Sequence, residues 1–464
     1  MFADGTLREP NRDHVVRNPY NGEVVGAVCN DSDADVDRLL AAFAAHETTL
    51  ASNKRSEILL AVAARLSAER DRLADLITAE SGVALRETRK EVERACGNLQ
   101  VAAQEVSRIR GESIPLETPA GPKLAVTLRE PVGLIAAITP FNRPLNQVVV
   151  KVAPALAAGN RVVVKPSDKT PLTALRLAQI FSECGLPPGL LAVVTGDGAR
   201  LGSRLAASEL VGMVTFTGSV EVGRQVQRAA GLKRVALELG GNDPLIVLAD
   251  ADLDHALRLA VAGAYATAGQ SCRGIKRILV ADSIADRFAE RLVEATRALR
   301  CGDPRDPATD VGPLISADAA ARIEAACSDA VRRGARLLLG GTRRNALMTP
   351  TVLDHVPASA PLVQDETFGP VAPIIRIRSV EHAIAVANGT IYGLQAGVVT
   401  DSADSFRRLA TGLKVGAVNL MDGPNFDSPY IPFGGVKCSG IGREGIRYSI
   451  EEMTQVKTVV YPWS

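Results

Sequence analysis

A chain of 464 residues is too long for one ordinary domain, so two or three are expected. Apolar residues make up 46% of it, enough for sizeable cores, and with aromatics at only 4% those cores must be built from Ala, Val, Leu and Ile. A net charge of +1, with acids and bases interspersed, argues against nucleic acid or an anionic membrane as the main partner.

The first twenty residues contain no apolar run, and no stretch approaches the roughly 18–20 apolar residues of a membrane span, so a soluble, cytoplasmic protein is expected. The seven cysteines (Cys29, Cys96, Cys184, Cys272, Cys301, Cys327 and Cys438) are odd in number, widely spaced and free of any C-x-x-C pair. With only five scattered His, neither a disulfide framework nor a metal site is legible.

In chain order, residues 32–49 and 53–110 read as long amphipathic helices. LAVTLRE (124–130) has strand character. From 133 onward, apolar runs alternate with helical patterns: GLIAAIT, RVVVKPS, LLAVVTG, VGMVTFTG and RVALELGG, then PLIVLAD, IKRILVA, VAPIIRI and LQAGVVT. That alternation means βαβ units and parallel sheets. One α/β domain is expected to end near 241 and a second to run to about 430. The last segment, 447–464, reads as a terminal strand that pairs with something, possibly another subunit.

Chemistry-bearing residues cluster where these runs end. Gly269-Gln270-Ser271-Cys272-Arg273 places a thiol at a helix–strand junction, with Arg273 beside it to lower its pKa from about 8.5. A lone Cys is more often a buried structural thiol. In LELGGND, Glu238 ends a strand at the carboxyl edge of a sheet, where ligands bind and a buried carboxylate can act as a base; the bland alternative is a surface strand cap. Asn142, held between Pro140 and Pro144 after Thr139 and Phe141, is placed to donate to an oxyanion, although a turn or helix-cap Asn is commoner. Lys165 and Asp168, flanking Ser167, suit a ribose diol, or else form a solvated charge pair. Phe216-Thr217-Gly218-Ser219 followed by Val222 is a strand, turn and helix start whose free N–H groups suit a diphosphate. Gly440-Ile441-Gly442-Arg443-Glu444-Gly445 matches G-x-G-x-x-G but follows no strand and has no chain left for a βαβ unit, so it reads as a connector.

TPFNRPLN, VVVKPSDKTPLTA, FTGSVEVG, LELGGNDP, GQSC, ETFGPVAP and PFGGVKCSGIGREG occur in the order and spacing of one family. From about residue 15 to 462 the chain resembles the aldehyde dehydrogenase superfamily. The resemblance implies two doubly wound α/β domains and a small β flap: residues 1–117 and 137–241 for NAD(P), 242–430 for catalysis, and 118–136 with 447–464 as oligomerisation strands of a homodimer or homotetramer. It implies Cys272 as nucleophile forming a thioester, Asn142 with the Cys272 N–H as oxyanion hole, and Glu238 as base for the hydrolytic water. Lys165 and Asp168 match the adenosine ribose, Ser219 and Gly218 the diphosphate, and Glu366 with Phe368 the nicotinamide ribose. Gly198, Leu239 and Gly240 complete the expected cofactor wall. Asp168 would repel a 2′-phosphate, so NAD is expected before NADP.

Arg143, Asn146 and Arg273 stand where the family's substrate tunnel is commonly apolar, and so point to a small anionic aldehyde; an interdomain salt bridge is the plainer role for Arg143. The overall pattern is closest to the phosphonoacetaldehyde and phosphonoformaldehyde dehydrogenases. That branch often has a basic residue just before the nucleophile. Here Ser271 takes its place, with Arg273 or Arg108 as substitutes, so sulfoacetaldehyde, lactaldehyde, succinic semialdehyde and glyceraldehyde 3-phosphate stay open. A CoA-acylating relative is disfavoured by Glu238, and a silent structural homologue by the presence of Cys272, Glu238 and Asn142 together.

Overall fold

The computed structural model describes residues 1–3, 5–7, 14–46 and 49–463. Parts of the N-terminal stretch, the end of the expected 32–49 helix (47 and 48) and residue 464 lie outside the described residues. No described helix is long and apolar enough to cross a membrane.

Two parallel sheets carry the molecule. In the first, Leu134–Ile138, Arg161–Lys165, Leu191–Val193, Met213–Thr217 and Arg234–Glu238 are all parallel; numbered along the chain, they lie in the order 3-2-1-4-5. The order reverses beside Leu134–Ile138, and the crevice above the carboxyl ends at such a reversal is where α/β sheets bind ligands. These strands are buried on both faces, which is why they read as unbroken apolar runs. In the second sheet Asp243–Val247 and Ile275–Ala281 are central. They are flanked by Val371–Ile377 and Thr351–Asp354 on one side and by Gln395–Val399 and Ala417–Leu420 on the other, all parallel, with Arg336–Leu339 antiparallel at one edge. The α/β class with two parallel-sheet units is as expected.

The expected 53–110 helix is three helices, Ser52–Ala68, Arg70–Ser81 and Leu85–Glu105. The second break falls at Gly82, which caps its helix at φ +75°. A β-carbon there would also lie 2.6 Å from Pro19. Apolar spacing runs on across both breaks, so periodicity alone did not locate them. The first helix, Asp33–Ala45, starts on a capping box between Ser32 and Asp35.

Gly440–Ile441 is more than a connector: it adds a short antiparallel edge to Arg234–Glu238. The C-terminal segment is a helix, Ile446–Glu452, followed by the strand Thr454–Pro462. That strand pairs within its own chain, with residues 123–131 of the strand Gly121–Pro131, whose other side holds Ser113–Thr118.

Glu80 ties the helical layer to the first sheet. Buried in the helix Arg70–Ser81, it accepts from Leu172 N at 2.9 Å, Thr173 N at 3.0 Å and the Thr173 hydroxyl, so it satisfies the free N-terminal donors of the helix Pro171–Glu183. Glu80→Ala strands these buried donors and is expected to cost about 1–3 kcal/mol, seen as a drop of several degrees in Tm by calorimetry; an unchanged Tm would show that water replaces the carboxylate without loss.

Candidate active site

Only four residues, 239–242, separate the last parallel strand of the first sheet from the first strand of the second. They cross the segment that carries Cys272 at very close range. A β-carbon on Gly241 would sit 2.2 Å from the Cys272 carbonyl oxygen, and one on Gly240 would sit 2.4 Å from the Glu366 carboxylate. The Gly-Gly pair is therefore required by close approach to the thiol-bearing segment. Asn242 fastens the third segment by donating from Nδ2 to Val363 O at 2.7 Å and Asp365 O at 3.2 Å, which sets Glu366 beside Gly241 N at 3.3 Å.

Cys272 follows a distorted turn. The helix Leu253–Tyr265 ends earlier than the expected 268, and Thr267 and Ala268 take left-handed φ of 52° and 54°. Such strain persists only where the surroundings enforce it. Here the buried Lys276 ammonium donates to the Gly269 carbonyl, and Gln270 Oε1 accepts from Ile315 N at 2.9 Å. Asn142 follows the strand Leu134–Ile138 and donates from Nδ2 to Gln270 O at 2.9 Å, joining the amide to the thiol segment. One N–H of that amide is thus used and the other is left to donate. Glu91 fixes the far side of the same loop by accepting from Leu145 N at 2.9 Å and Asn146 N at 3.0 Å.

Two cavities meet at Cys272 and Asn142, and Gln147 also borders both. The larger, about 500 Å³, runs along the carboxyl ends of the first sheet. Thr139, Pro140 and Phe141 line it, as do Lys165, Ser167, Asp168, Gly198, Phe216, Gly218, Ser219, Val222, Leu239, Gly240, Glu366 and Phe368. Phe141 and Phe368 meet edge to face at 5.9 Å. Every expected cofactor residue except Glu238 is there. Glu238 is buried behind the cleft wall, its Oε1 only 2.7 Å from where a Gly434 side chain would begin. The residues fit a dinucleotide. The Val220–Ala230 helix presents its N-terminus to the cleft, and the buried hydroxyls of Thr139 and Thr217 have no partner among the described residues. Lys165 and Asp168 stand at one end, with burial lowering Lys165 to about 8, and Glu366 stands at the other.

The second cavity is narrow, about 50 Å³, and polar. Arg143, Asn146, Ser271 and Arg273 all line it, with Asn98 donating to Asn146 Oδ1 at 2.8 Å. Arg108 does not. It lies ten residues beyond Asn98, about 15 Å further along a helical path, where it is exposed, paired with Glu105 and faces a separate cleft with Arg129 and Arg447. Arg273 is less free than expected: it donates to Asp427 at 2.9 Å and lies over the Phe433 ring at 5.7 Å.

Electrostatics also correct the expectation for the thiol. Burial pushes Cys272 up to about 12; Arg273 opposes this, while Glu366, Asp243 and Glu238 add to it. Burial outweighs a single guanidinium whose charge is largely answered by Asp427. Glu238 is raised well above the usual carboxylate range by burial and then by Glu444, with Lys151 and Arg443 opposing. Glu444 in turn receives the buried Lys151 ammonium, which also donates to Thr215 Oγ1 at 3.1 Å. Burial raises Glu366 to about 7 against the pull of Lys276. Lys151, Glu444, Lys276, Arg94 and Asp427 were not foreseen. A readable sign existed for Lys151, a lone charge in the apolar run QVVVKVAPALA, whereas the others acquire meaning only through contacts across the fold.

The aldehyde dehydrogenase family model matches residues 7–459. A 3-sulfolactaldehyde dehydrogenase from Priestia megaterium is 40% identical over 463 residues, covering 99% of this chain and 97% of that one. A lactaldehyde dehydrogenase from Methanococcus vannielii is 37% identical over 474 residues, covering 99% of each. Among solved structures, glyceraldehyde-3-phosphate dehydrogenase from Methanocaldococcus jannaschii, complexed with NADP, superposes with a TM-score of 0.94 at 39% identity over 98% of this chain and 100% of that one. The chain belongs to the aldehyde dehydrogenase family and is an enzyme of that class. The expected likeness to phosphonoaldehyde dehydrogenases gives way to these relatives, whose names carry lactaldehyde, sulfolactaldehyde and glyceraldehyde 3-phosphate.

A raised thiol pKa means little thiolate at neutral pH. Alkylation of Cys272 by iodoacetamide in cofactor-free enzyme is expected to be slow at pH 7.5 and to rise about tenfold per pH unit through pH 9.5, read by mass-spectrometric peptide mapping. A plateau below pH 9 would show that the resting site already holds the thiolate.

Proposed function

We propose that this enzyme oxidises a small anionic aldehyde to its carboxylate through a thioester on Cys272, with NAD preferred and NADP accepted less well. The observation that carries this is the placement of Cys272 and Asn142 where the dinucleotide-shaped cleft meets an arginine-lined pocket. The first sheet and its helices serve the dinucleotide, the second presents the thiol, and the three-stranded sheet offers its edges to another copy of the chain.

As the carbonyl is engaged, Cys272 gives its proton to a water in the cleft and its sulfur bonds the carbonyl carbon, the carbonyl π pair moving onto oxygen. The oxygen, becoming an alkoxide, takes hydrogen bonds from the remaining Asn142 N–H and the Cys272 backbone N–H. A nicotinamide dinucleotide bound in the cleft supplies a hydride acceptor at that carbon. The thioester left on Cys272 is then hydrolysed by water that gives its proton to Glu238, whose buried environment raises its basicity. Glu238 must first turn from Gly434 toward the cleft. Asp168, 38% exposed and 3.8 Å from Lys169, disfavours a 2′-phosphate without forbidding one.

The aldehydes named for the three relatives share a 2-hydroxyaldehyde frame and differ at the third carbon: a methyl group, a sulfonate or a phosphate ester. Arg143 and the polar wall of Asn98, Asn146 and Ser271 favour an anionic head on that frame. This frame replaces phosphonoaldehydes as the preferred reading.

Cys272→Ala is expected to abolish NADH formation while leaving NAD affinity within about twofold by fluorescence titration; retained turnover would refute the nucleophile. Glu238→Gln is expected to keep a stoichiometric burst of NADH in stopped flow and to lower the steady rate about 10²-fold or more; loss of the burst instead would place Glu238 in the first half-reaction. Arg143→Leu is expected to raise KM about tenfold or more for 3-sulfolactaldehyde and little for lactaldehyde. Equal effects on both would end the anion-pocket reading.

A further inference from the structure

Three guanidiniums gather around the narrow pocket. Arg94 comes from the helix Leu85–Glu105, Arg143 follows the oxyanion-side Asn142, and Arg273 follows the thiol. Asp427, on the loop after Ala417–Leu420, answers two of them. Its Oδ2 accepts from Arg273 at 2.9 Å and lies 3.3 Å from Arg94 Nε. Burial works to raise Asp427, but Arg273, Arg94 and Arg143 together outweigh it and hold the carboxyl below its usual value, so it is ionised.

The cationic charge is not fully answered. Arg94 is lowered to about 10, by burial and then by repulsion from Arg143 and Arg273. Its Nη1 is buried and has no partner, and Arg143 makes no direct ion pair among the described residues. Two other acids are close: Glu444 lines the pocket but is paired with the buried Lys151, and Glu91 has one oxygen occupied by two backbone donors, with burial raising its pKa. The cluster therefore holds Arg143 and Arg273 in the pocket wall and Arg94 behind Asp427, against one full carboxylate charge at Asp427 and a weakened one at Glu91, while Glu444 is balanced by Lys151.

We infer that Asp427 is a charge filter: as an internal counter-ion on Arg273 and Arg94, it leaves the pocket matched to a singly charged head group beside Arg143 and sets the enzyme against the phosphoryl dianion. This rests on the anion-pocket reading above and narrows it. A sulfonate adds one negative charge to the cluster, whereas a phosphate ester at pH 8 adds about two, and the second meets Asp427 at close range in a partly desolvated site. Asp427 is a specificity-determining residue here and has no part in the bond-making steps.

The test compares kcat/KM at pH 8 for lactaldehyde, 3-sulfolactaldehyde and glyceraldehyde 3-phosphate, which carry zero, one and about two negative charges. The native enzyme is expected to favour 3-sulfolactaldehyde over both others. Asp427→Asn is expected to raise the ratio of glyceraldehyde 3-phosphate to 3-sulfolactaldehyde about tenfold, and Asp427→Glu, which keeps the charge, to restore the native ratio. If Asp427→Asn turns over too slowly, protection of Cys272 from iodoacetamide by 3-phosphoglycerate against 3-sulfolactate reads the same preference without catalysis. An unmoved ratio in both measurements, or a native enzyme that prefers glyceraldehyde 3-phosphate, overturns the filter. Failure of the underlying reading looks different: Arg143→Leu would then affect lactaldehyde and 3-sulfolactaldehyde alike, whatever Asp427→Asn does.

Discussion

The contact of Gly241 with the Cys272 carbonyl, at a distance that admits no side chain, is the constraint on which the site depends. Two sheets with separate cores are joined by a four-residue crossing, and that crossing lies on the backbone of Cys272. Any shift of one sheet relative to the other would move Cys272 against Gly240, Gly241 and Glu366 together. Asn242 and Asn142 add polar ties on either side of the crossing, one to the 363–365 segment and one to Gln270. The left-handed turn before the thiol is enforced by the same packing, with Lys276 and Ile315 holding its carbonyl and side-chain ends.

Burial on both sides of this joint explains the electrostatics. Cys272, Glu238, Asp243 and Glu366 are all moved toward their neutral forms by desolvation, and Lys276 is moved likewise. Desolvation of this kind strengthens any hydrogen bond to charge that develops there, and the free Asn142 N–H and the Cys272 N–H are fixed donors within it. Lys151 and Glu444 pair near Glu238, so its carboxyl is tuned by a charge pair drawn from two distant parts of the chain. The narrow pocket differs: there Arg94, Arg143 and Arg273 stand against Asp427 and Glu91, and desolvation is incomplete.

Much of this was readable beforehand, for a definable reason. Strands buried on both faces must be unbroken apolar runs, so the nine runs from 133 to 400 announced themselves. Residues at their carboxyl ends were recognisable because sheet topology sends ligands there: all the expected cofactor positions but Glu238 line one cleft. What escaped were side-chain directions and distances. Glu238 ends its strand in the expected place yet faces Gly434. Arg108 lies in the short 3-10 turn that follows the helix of Asn98, and it emerges at another cleft. Arg273 adjoins the thiol in sequence while its charge is turned to Asp427.

The sequence by itself determined the class of fold, the family and the identity of the groups at the strand ends, because these follow from local periodicity and from contiguous motifs. Tertiary structure alone decided the state of those groups: a thiol raised by burial, a Glu238 carboxyl raised by burial and by Glu444, and two arginines sharing Asp427. Those are properties of distance and dielectric between residues as much as 333 positions apart, as Arg94 and Asp427 are, and no local pattern encodes them.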